Sequence, residues 1–217
     1  MKLSELVTHT SDWVGVPRTV VESHARYLRE AGLLTTGGRG LAASEMNDDD
    51  KVRLLISVCG TSVASDAAAR LNDWLNCQSV EVVQSDAPFR FEFPTKSTLP
   101  SALIAFFKRD LQSAEMKAWK SGERFEKPRG AQFQATSDML SLIFVIDSIR
   151  ANINLQRVAV VDSKIEAKQT ISNRFALTLD FSKPLPIGRK ENYRAKAEFT
   201  CQLSEENLIG WSGCFDE

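Results

Sequence analysis

The fold of the N-terminal region is decided by residues 15 to 34, which read GVPRTVVESHARYLREAGLL. The opening Gly-Val-Pro triplet is a turn signal, and Pro17 suits the first turn of a helix. One helical face follows, with apolar residues at spacings of four and three: Val21, Ala25 and Leu28. Gly32 suits the C-terminal cap, because glycine readily adopts the left-handed conformation that ends many helices. The stretch therefore predicts a turn followed by an amphipathic helix.

The residues on either side extend this pattern. Upstream, Leu3, Leu6 and Val7 recur at helical spacing and predict a helix before the turn. Downstream, residues 33 to 35 (Leu-Leu-Thr) predict a short strand. Residues 36 to 40 (Thr-Gly-Gly-Arg-Gly) predict a tight, flexible loop. We expect helix, turn, helix, strand and loop in that order.

Polar and charged side chains occupy the face of the second helix that is opposite its apolar residues. They are Arg18, Thr19, Glu22, Ser23 and Arg26. Arginine can donate two hydrogen bonds to guanine in the major groove, and serine or threonine can contact phosphates or base edges. Glu22 fits less well, because a carboxylate repels phosphates unless it accepts a hydrogen bond from the N4 amino group of cytosine.

The loop supplies a second set of candidate DNA contacts: Thr36, Gly37, Gly38 and Arg39. Glycines without a Cβ atom allow a loop to approach a DNA backbone closely. We expect Arg39 to contribute mainly to general affinity, through phosphates or the minor groove. We expect Arg18, at the start of the helix, to contribute to the choice of sequence.

These features together resemble the winged helix-turn-helix of transcription regulators. In that family a turn with a glycine and an apolar residue precedes a recognition helix that carries short polar and arginine side chains. An Ala-Gly-Leu ending then leads into a wing rich in glycine and arginine. Residues 31 to 34 (Ala-Gly-Leu-Leu) and 37 to 40 (Gly-Gly-Arg-Gly) match that ending. The resemblance covers residues 1–45, about a fifth of the chain, and implies a head that binds double-stranded DNA.

Net charge bears on how tightly such a head would bind. The chain has a formal net charge of −1, and residues 1–45 contain five basic and five acidic side chains. This balance argues against non-specific coating of nucleic acid, which relies on excess positive charge. Few phosphate contacts per copy would give weak binding by a monomer, so we expect a homo-oligomer.

Residues 46–78 predict two further helices. Asn47 and the aspartates at 48–50 form a strong helix start, because asparagine caps free N–H groups and carboxylates favour the positive end of the helix dipole. An acidic substrate or metal site is the alternative interpretation of the aspartates. The apolar faces of these helices either pack on the head or form a dimer seam. We therefore interpret residues 46–78 as a connector or as oligomerisation helices.

The remaining residues, 79–217, combine strand and helix patterns. Alternation of apolar and polar residues at 89–93, 175–181 and 194–203 predicts antiparallel strands with one buried face. The other predicted features are a helix that is opened by Thr98 and Pro100 and carries apolar residues from 103 to 114, a loop at 121–134, a buried helix at 139–149 and a tight turn at Asp162-Ser163. We expect an α+β fold in which residues 79–217 form a body that folds alone, with an antiparallel sheet and packed helices.

Enzymatic activity lacks sequence support. The chain contains no Gly-x-Ser-x-Gly, His-Glu-x-x-His, phosphate-loop or dinucleotide motif, so we expect neither catalysis nor a cofactor. Both histidines, His9 and His24, lie in the predicted head, and we expect His24 to be a partly buried helix residue. The four cysteines form no Cys-x-x-Cys pair, which predicts free thiols and no metal site. No apolar run approaches the roughly 18 residues of a membrane span, and we expect a cytoplasmic protein without a membrane partner.

Three functions are compatible with these expectations. A sequence-specific transcriptional regulator would use residues 79–217 for oligomerisation, ligand sensing or partner binding, and the sequence does not specify a small-molecule effector. A phage-type DNA-packaging protein, such as a small terminase subunit, also combines a helix-turn-helix head with an oligomerisation body. A protein-interaction module would bind another protein through the head. DNA binding separates the first two functions from the third, and small oligomers favour a regulator whereas large rings favour packaging.

Overall fold

The structure is a computed structural model, and it describes residues 1–38, 43–85, 97–110, 132–145, 150–162, 169–182 and 200–215. Within these ranges, helices dominate the N-terminal third of the chain and long paired strands dominate the later part. None of the helices in these ranges has the length and apolar character that crossing a bilayer requires.

Two helices, α1 (Leu3–Val14) and α2 (Arg18–Glu30), meet at the predicted turn. Gly15 ends α1 in the left-handed conformation, at a φ of 74°. Helix α2 buries the predicted apolar face, and His24 is buried with it. Gly32, at a φ of 71°, lies just beyond the end of α2. The predicted turn, amphipathic helix and glycine cap are confirmed.

The segment after α2 differs from the predicted strand. Residues 33 to 35 pair with no strand in the described part of the chain. Instead, the carbonyl of Leu33 accepts a hydrogen bond from Arg53 Nη1 at 3.1 Å, and the N–H of Thr35 donates to Asp50 Oδ1 at 2.8 Å. The strand prediction is wrong because side chains of the next helix satisfy backbone groups that a partner strand would otherwise bond.

The chain then returns to its own N-terminus. Lys2 and Glu45 form an isolated antiparallel bridge, and the N–H of Met46 donates to the carbonyl of Met1 at 2.9 Å. Residues 39–42 of the predicted loop and its surroundings, including Arg39, lie outside the described residues. The residues that follow the loop, Glu45 and Met46, are therefore held against the start of α1.

Helix α3 (Asp48–Gly60) begins where the sequence predicts. The side chain of Asn47 accepts from the N–H of Asp50 at 2.9 Å, and the side chain of Asp50 accepts from the N–H of Asn47 at 3.0 Å. After a 3₁₀ turn at Ala64–Asp66, helix α4 (Ala67–Leu75) packs against α3. The predicted asparagine cap is confirmed, and its reciprocal bonds satisfy two donors at the helix start.

In the described ranges, five strands pair antiparallel in the order β1-β4-β3-β2-β5. They are β1 (Gln78–Ser85), β2 (Gln132–Val145), β3 (Arg150–Asp162), β4 (Gln169–Ser182) and β5 (Thr200–Leu203). The predicted alternation at 175–181 falls within β4, and the end of the 194–203 pattern forms β5. Residues 89–93 and 194–199 lie outside the described residues.

The helix predicted at 139–149 is wrong as far as residue 145, because those residues belong to β2. β2 lies between β3 and β5. An apolar run without alternation fits a strand flanked by two neighbours as well as a buried helix, so periodicity alone misleads. The loop predicted at 121–134 is also wrong from Gln132 onward, where β2 begins, whereas residues 121–131 and 146–149 lie outside the described residues.

The register of β3 with β4 differs from the predicted turn. Asp162 pairs with Gln169, which centres the pairing between positions 165 and 166 and not between 162 and 163. The tight turn predicted at Asp162-Ser163 is therefore wrong, and residues 163–168 lie outside the described residues.

Two short helices complete the described structure. Helix α5 (Leu99–Ala105) is capped by Thr98 and continues into a π-helical turn at Phe106–Asp110. The predicted opening of this helix by Thr98 and Pro100 is confirmed, and its predicted residues 111–114 lie outside the described residues. Helix α6 (Glu205–Ser212) starts at a Ser204 cap and ends in a 3₁₀ turn.

One hydrophobic core connects the first helices to the last one. The rings of Trp211 and Phe107 lie 4.9 Å apart between centroids. Trp211 Nε1 donates to the hydroxyl of Thr10 at 3.3 Å, and Asn207 Nδ2 donates to the carbonyl of Trp13 at 2.7 Å. These contacts join α6 to α1, so they cross the predicted boundaries between residues 1–45, 46–78 and 79–217.

Helix α3 lies at the centre of this core. From Asp50 to Gly60 its residues are buried, except for the half-buried Arg53. Helices α2, α4 and α5 and strands β2 and β5 of the same chain contact it. Of the two predicted alternatives for this helix, packing within the chain is the one that the structure has. Self-association would therefore use surfaces other than the buried faces of α3.

Candidate nucleic-acid interface

A groove of about 610 Å³ lies along the exposed side of α2. Its walls are α2, the start of α1 with Lys2, and the described residues between 35 and 46. We call it the α2 groove and define it by its described lining residues: Lys2, Leu3, Ser4, Val7, Arg18, Glu22, Ala25, Arg26, Arg29, Thr35, Gly37, Gly38, Ala43, Ser44 and Met46. The predicted helix and loop contacts thus border one groove.

Positive charge is concentrated in the α2 groove. Its described lining contains four cationic side chains: Lys2, Arg18, Arg26 and Arg29. Glu22 is the single carboxylate in the same described lining. Two other acids of the head lie beside the lining without belonging to it: Glu5 accepts from the backbone N–H of Lys2 at 2.6 Å, and Glu45 binds the amino group of Met1. The groove is therefore positive although residues 1–45 are neutral overall.

The predicted DNA contacts divide into two groups. Five of them line the groove: Arg18, Glu22, Arg26, Gly37 and Gly38. Thr19 and Ser23 lie outside the lining, and Ser23 Oγ donates to the carbonyl of Thr19 at 2.8 Å. Thr36 is exposed but is not a lining residue, and Arg39 lies outside the described residues. The division follows helical geometry, because residues four apart share a row whereas the next residue along points about 100° away.

Arg18 and Glu22 form an ion pair on one row of α2. Arg18 Nε donates to Glu22 Oε1 at 2.9 Å, and the two side chains are 55% and 50% exposed. Exposed pairs at this spacing stabilise a helix by only about 0.3–0.5 kcal/mol. The pair is therefore easily opened or re-formed around a ligand, and it contributes little to the fold.

Arg26 and Arg29 differ in the contacts that their side chains make within the chain. Arg26 lies 3.9 Å from the Glu30 carboxylate, and its guanidinium lies over the Tyr27 ring at 4.8 Å. Arg29 is exposed, lines the groove and has no ion pair within the described part of the chain. Arg29 is therefore available to an anionic ligand without breaking an existing pair.

Sequence reasoning missed two cations of the groove. Arg29 follows Arg18, Glu22 and Arg26 on one side of α2, so extending the row by one turn would have found it. Lys2 carries no such local signal. The bridge between Lys2 and Glu45 and the return of the chain place it beside α2.

The two histidines are structural. His24 is 1% exposed, and its Nδ1 lies 2.9 Å from Ser57 Oγ on α3. Burial lowers the pKa of His24 to about 4, so its ring is neutral at pH 7. His9 Nε2 bonds to the carbonyl of Trp211 at 2.9 Å. His24 therefore joins α2 to α3, and burial removes it from any ligand in the groove.

The aspartates at 48–50 have separate structural roles. The Asp50 carboxylate bonds to the backbone N–H groups of both Asn47 and Thr35. Partial burial raises the pKa of Asp48, but Lys108 at 2.7 Å and Lys51 at 3.5 Å outweigh it and hold that pKa below its ordinary value. The described residues contain no group of three or more side chains suited to hold a metal ion. The helix-start interpretation thus accounts for the bonds of Asp50 and the position of all three residues.

All four cysteines are free thiols, as the sequence predicts, and three of them are buried. Cys59 of α3 and Cys201 of β5 interact. A hydrogen bond with Cys201, together with burial, raises the pKa of the Cys59 thiol, and the same bond lowers the pKa of Cys201. Neither thiol lines the α2 groove.

Comparison with known proteins gives no match. The chain matches no family model, no curated protein and no solved structure. The winged helix-turn-helix resemblance thus depends on residues 1–45 themselves, and the α2 groove supplies the geometry and charge that bear on function.

Proposed function

We propose that the chain binds double-stranded DNA through the α2 groove and acts as a sequence-specific transcriptional regulator in an oligomer. The observation that carries the proposal is the placement of four cations and one carboxylate along the exposed side of α2. The head as a whole is neutral, so this arrangement provides a local positive surface that the composition does not reveal.

The position of α2 supports base contact. An α-helix fits the major groove of B-DNA, and the first residues of a recognition helix are those that reach the bases. Arg18 is the first residue of α2, follows the glycine turn and is more than half exposed. Guanine presents two acceptors, O6 and N7, that match two parallel guanidinium donors. Arg18 is therefore our candidate for base recognition.

The remaining cations support contact with phosphates. Lys2, Arg26 and Arg29 line the same groove as Gly37 and Gly38, whose lack of a Cβ atom allows a DNA backbone to approach closely. Each phosphate that a cation neutralises increases the affinity by a similar amount whatever the base sequence. Each such contact also makes binding more sensitive to salt. Few such contacts in one copy give modest affinity, and two or more linked copies multiply it. This is why we include an oligomer in the proposal.

A binding screen tests the proposal directly. The full chain is incubated with a pool of random duplex DNA, and the bound fraction is sequenced. We expect one sequence to be enriched, and a palindrome if the protein binds as a dimer, because symmetry in the operator matches symmetry in the protein. A pool that stays random, or a chain that retains no duplex, contradicts the proposal.

Three variants then test the groove on the enriched duplex and on a random one. Arg18→Ala should cost about 1–3 kcal/mol more on the enriched duplex than on the random one. Arg29→Ala should weaken both duplexes alike and reduce the salt slope by about one. Arg70→Ala, on α4 and outside the groove lining, removes the same charge and should leave both affinities unchanged. Equal affinities for all three folded variants would show that the groove does not bind DNA.

A further inference from the structure

The bond between Arg18 and Glu22 fixes one edge of a guanidinium and leaves another edge open. It uses Arg18 Nε, and the described residues offer no partner to Nη1 or Nη2. Those two atoms carry parallel N–H donors on the far edge of the group. An arginine held at Nε from the same helix therefore presents a ready pair of donors toward the groove.

Such restraint matters because arginine is otherwise free to rotate about four side-chain bonds. A donor pair that is already oriented loses less freedom when it bonds a base edge. Guanine requires both donors at once, whereas a phosphate accepts a bond from almost any direction. Orientation by a carboxylate should thus favour contact with guanine over contact with phosphate.

The charge of Glu22 acts on every duplex alike. It is the one carboxylate in the described lining and it lies among four cations. A negative group there opposes the approach of phosphates whatever the base sequence. Its charge therefore lowers both affinities together, and the ratio between them depends on the contact of Arg18 with a base.

Taking the proposed DNA binding as given, we infer that Glu22 is a specificity-determining residue that acts through Arg18 and does not contact a base itself. It holds Arg18 at Nε so that Nη1 and Nη2 read a guanine. This replaces the sequence-based expectation that Glu22 would be tolerated only by accepting from cytosine. The discriminating quantity is the ratio of affinities for the enriched duplex and a random duplex.

Two substitutions separate the hydrogen-bond acceptor that Glu22 provides from its negative charge. Glu22→Gln keeps an oxygen acceptor for Arg18 Nε, whereas Glu22→Ala removes it. We expect Glu22→Ala to lower the affinity ratio about twofold, which is the effect that an exposed pair at this spacing can supply, while removal of the charge raises both affinities together. Glu22→Gln should retain most of the ratio, and this rescue is a readout that general loss of structure would not produce.

The helix supplies a matched control. Glu30 lies four residues from Arg26, at 3.9 Å, outside the groove lining. Glu30→Ala removes the same charge from the same helix and should leave the ratio unchanged. The double variant Arg18→Ala/Glu22→Ala should show the same ratio as Arg18→Ala alone, because Glu22 acts only through Arg18. Melting curves confirm that each variant is folded.

The outcomes separate this inference from the proposed function. If the unmodified chain binds no duplex DNA, both the proposed function and the role of Glu22 are overturned. An enriched duplex whose ratio is unaffected by Glu22→Ala overturns the role of Glu22 alone. If the reductions in the affinity ratio caused by Arg18→Ala and by Glu22→Ala add in the double variant, Glu22 contacts a base directly. That result also overturns the inference.

Discussion

His24 is almost fully buried on α2, and its only described polar partner is the hydroxyl of Ser57 on α3. Asp50 has a comparable position at the start of α3, where one carboxylate bonds to two backbone N–H groups from different segments. At the residue scale, such buried polar groups specify how neighbouring elements meet, because an unsatisfied partner would be costly. These two residues therefore fix α2 and the segment after it against α3.

Protonation of His24 should destabilise the fold at mildly acidic pH. Burial lowers its pKa from 6.5 to about 4, so the unfolded chain binds a proton in this interval while the folded chain does not. Its contribution to stability is present above pH 6.5 and is lost as the pH falls toward 4. We expect a loss of about 2 kcal/mol in the free energy of unfolding between pH 7 and pH 5, measured by urea unfolding.

His24→Asn is the matched control for this prediction. An asparagine places a polar atom close to the position of Nδ1, so it can still bond Ser57, but it does not titrate. The variant should show a pH dependence that is shallower by the same about 2 kcal/mol. An identical pH dependence in both proteins would show that His24 does not titrate in this range.

At the scale of elements, the close packing of α6 on α1 depends on a glycine. A Cβ atom at Gly210 would lie 2.1 Å from Trp13 Cε3, far inside van der Waals contact. The neighbouring Asn207 side chain bonds to the carbonyl of Trp13, so the same turn of α6 is held to α1 by a hydrogen bond. The two helices can be this close only because position 210 has no side chain.

Gly210→Ala should therefore destabilise the protein by about 1–3 kcal/mol, since either the indole or α6 must move. Gly213→Ala is the matched control three residues away. A Cβ atom there meets nothing nearer than His9 Cε1 at 3.9 Å, an ordinary contact. We expect that variant to change stability by no more than about 0.5 kcal/mol. Equal melting temperatures for the two variants would contradict the described contact of α6 with α1.

At the scale of the whole molecule, the core is shared from end to end. Trp211 near the C-terminal end bonds to Thr10 on α1, and its ring packs on Phe107 of the turn after α5. Strands β2 and β5 contact α3, which is itself buried. A protein whose elements share one core is expected to unfold as one unit, because neither part retains a covered core without the other.

The shared core argues against the sequence-based expectation that residues 79–217 fold alone. We expect the full chain to melt in one cooperative transition, and a fragment of residues 79–217 to lack one. Removing residues 1–78 would uncover Trp211, Leu203 and Phe107, all of which are buried in the full chain. Circular dichroism and calorimetry compare the two proteins under the same buffer conditions. A fragment that melts cooperatively near the temperature of the full chain would contradict the shared core.

Features set by near neighbours could be predicted from the sequence. The turn before α2, the buried face of α2, the Gly32 cap and the Asn47 cap all depend on residues within one or two helical turns. Arg18, Glu22 and Arg26 could be selected as one exposed face for the same reason. Periodicity and capping depend on residues that are close together in the chain, so both can be predicted without knowledge of the tertiary structure.

Tertiary structure decided which residues from distant parts of the chain come into contact. It made residues 33 to 35 bond to α3 side chains, it made the apolar run after residue 138 a strand, and it brought Lys2 to the α2 groove. In each case the partner lies outside the local stretch, so its identity is invisible to periodicity. The sequence alone determined that α2 would be an amphipathic helix with arginines on its exposed side. Only folding decided that a groove with four cations and one carboxylate in its described lining would form on a head of zero net charge, because that lining combines residues from separate parts of the chain.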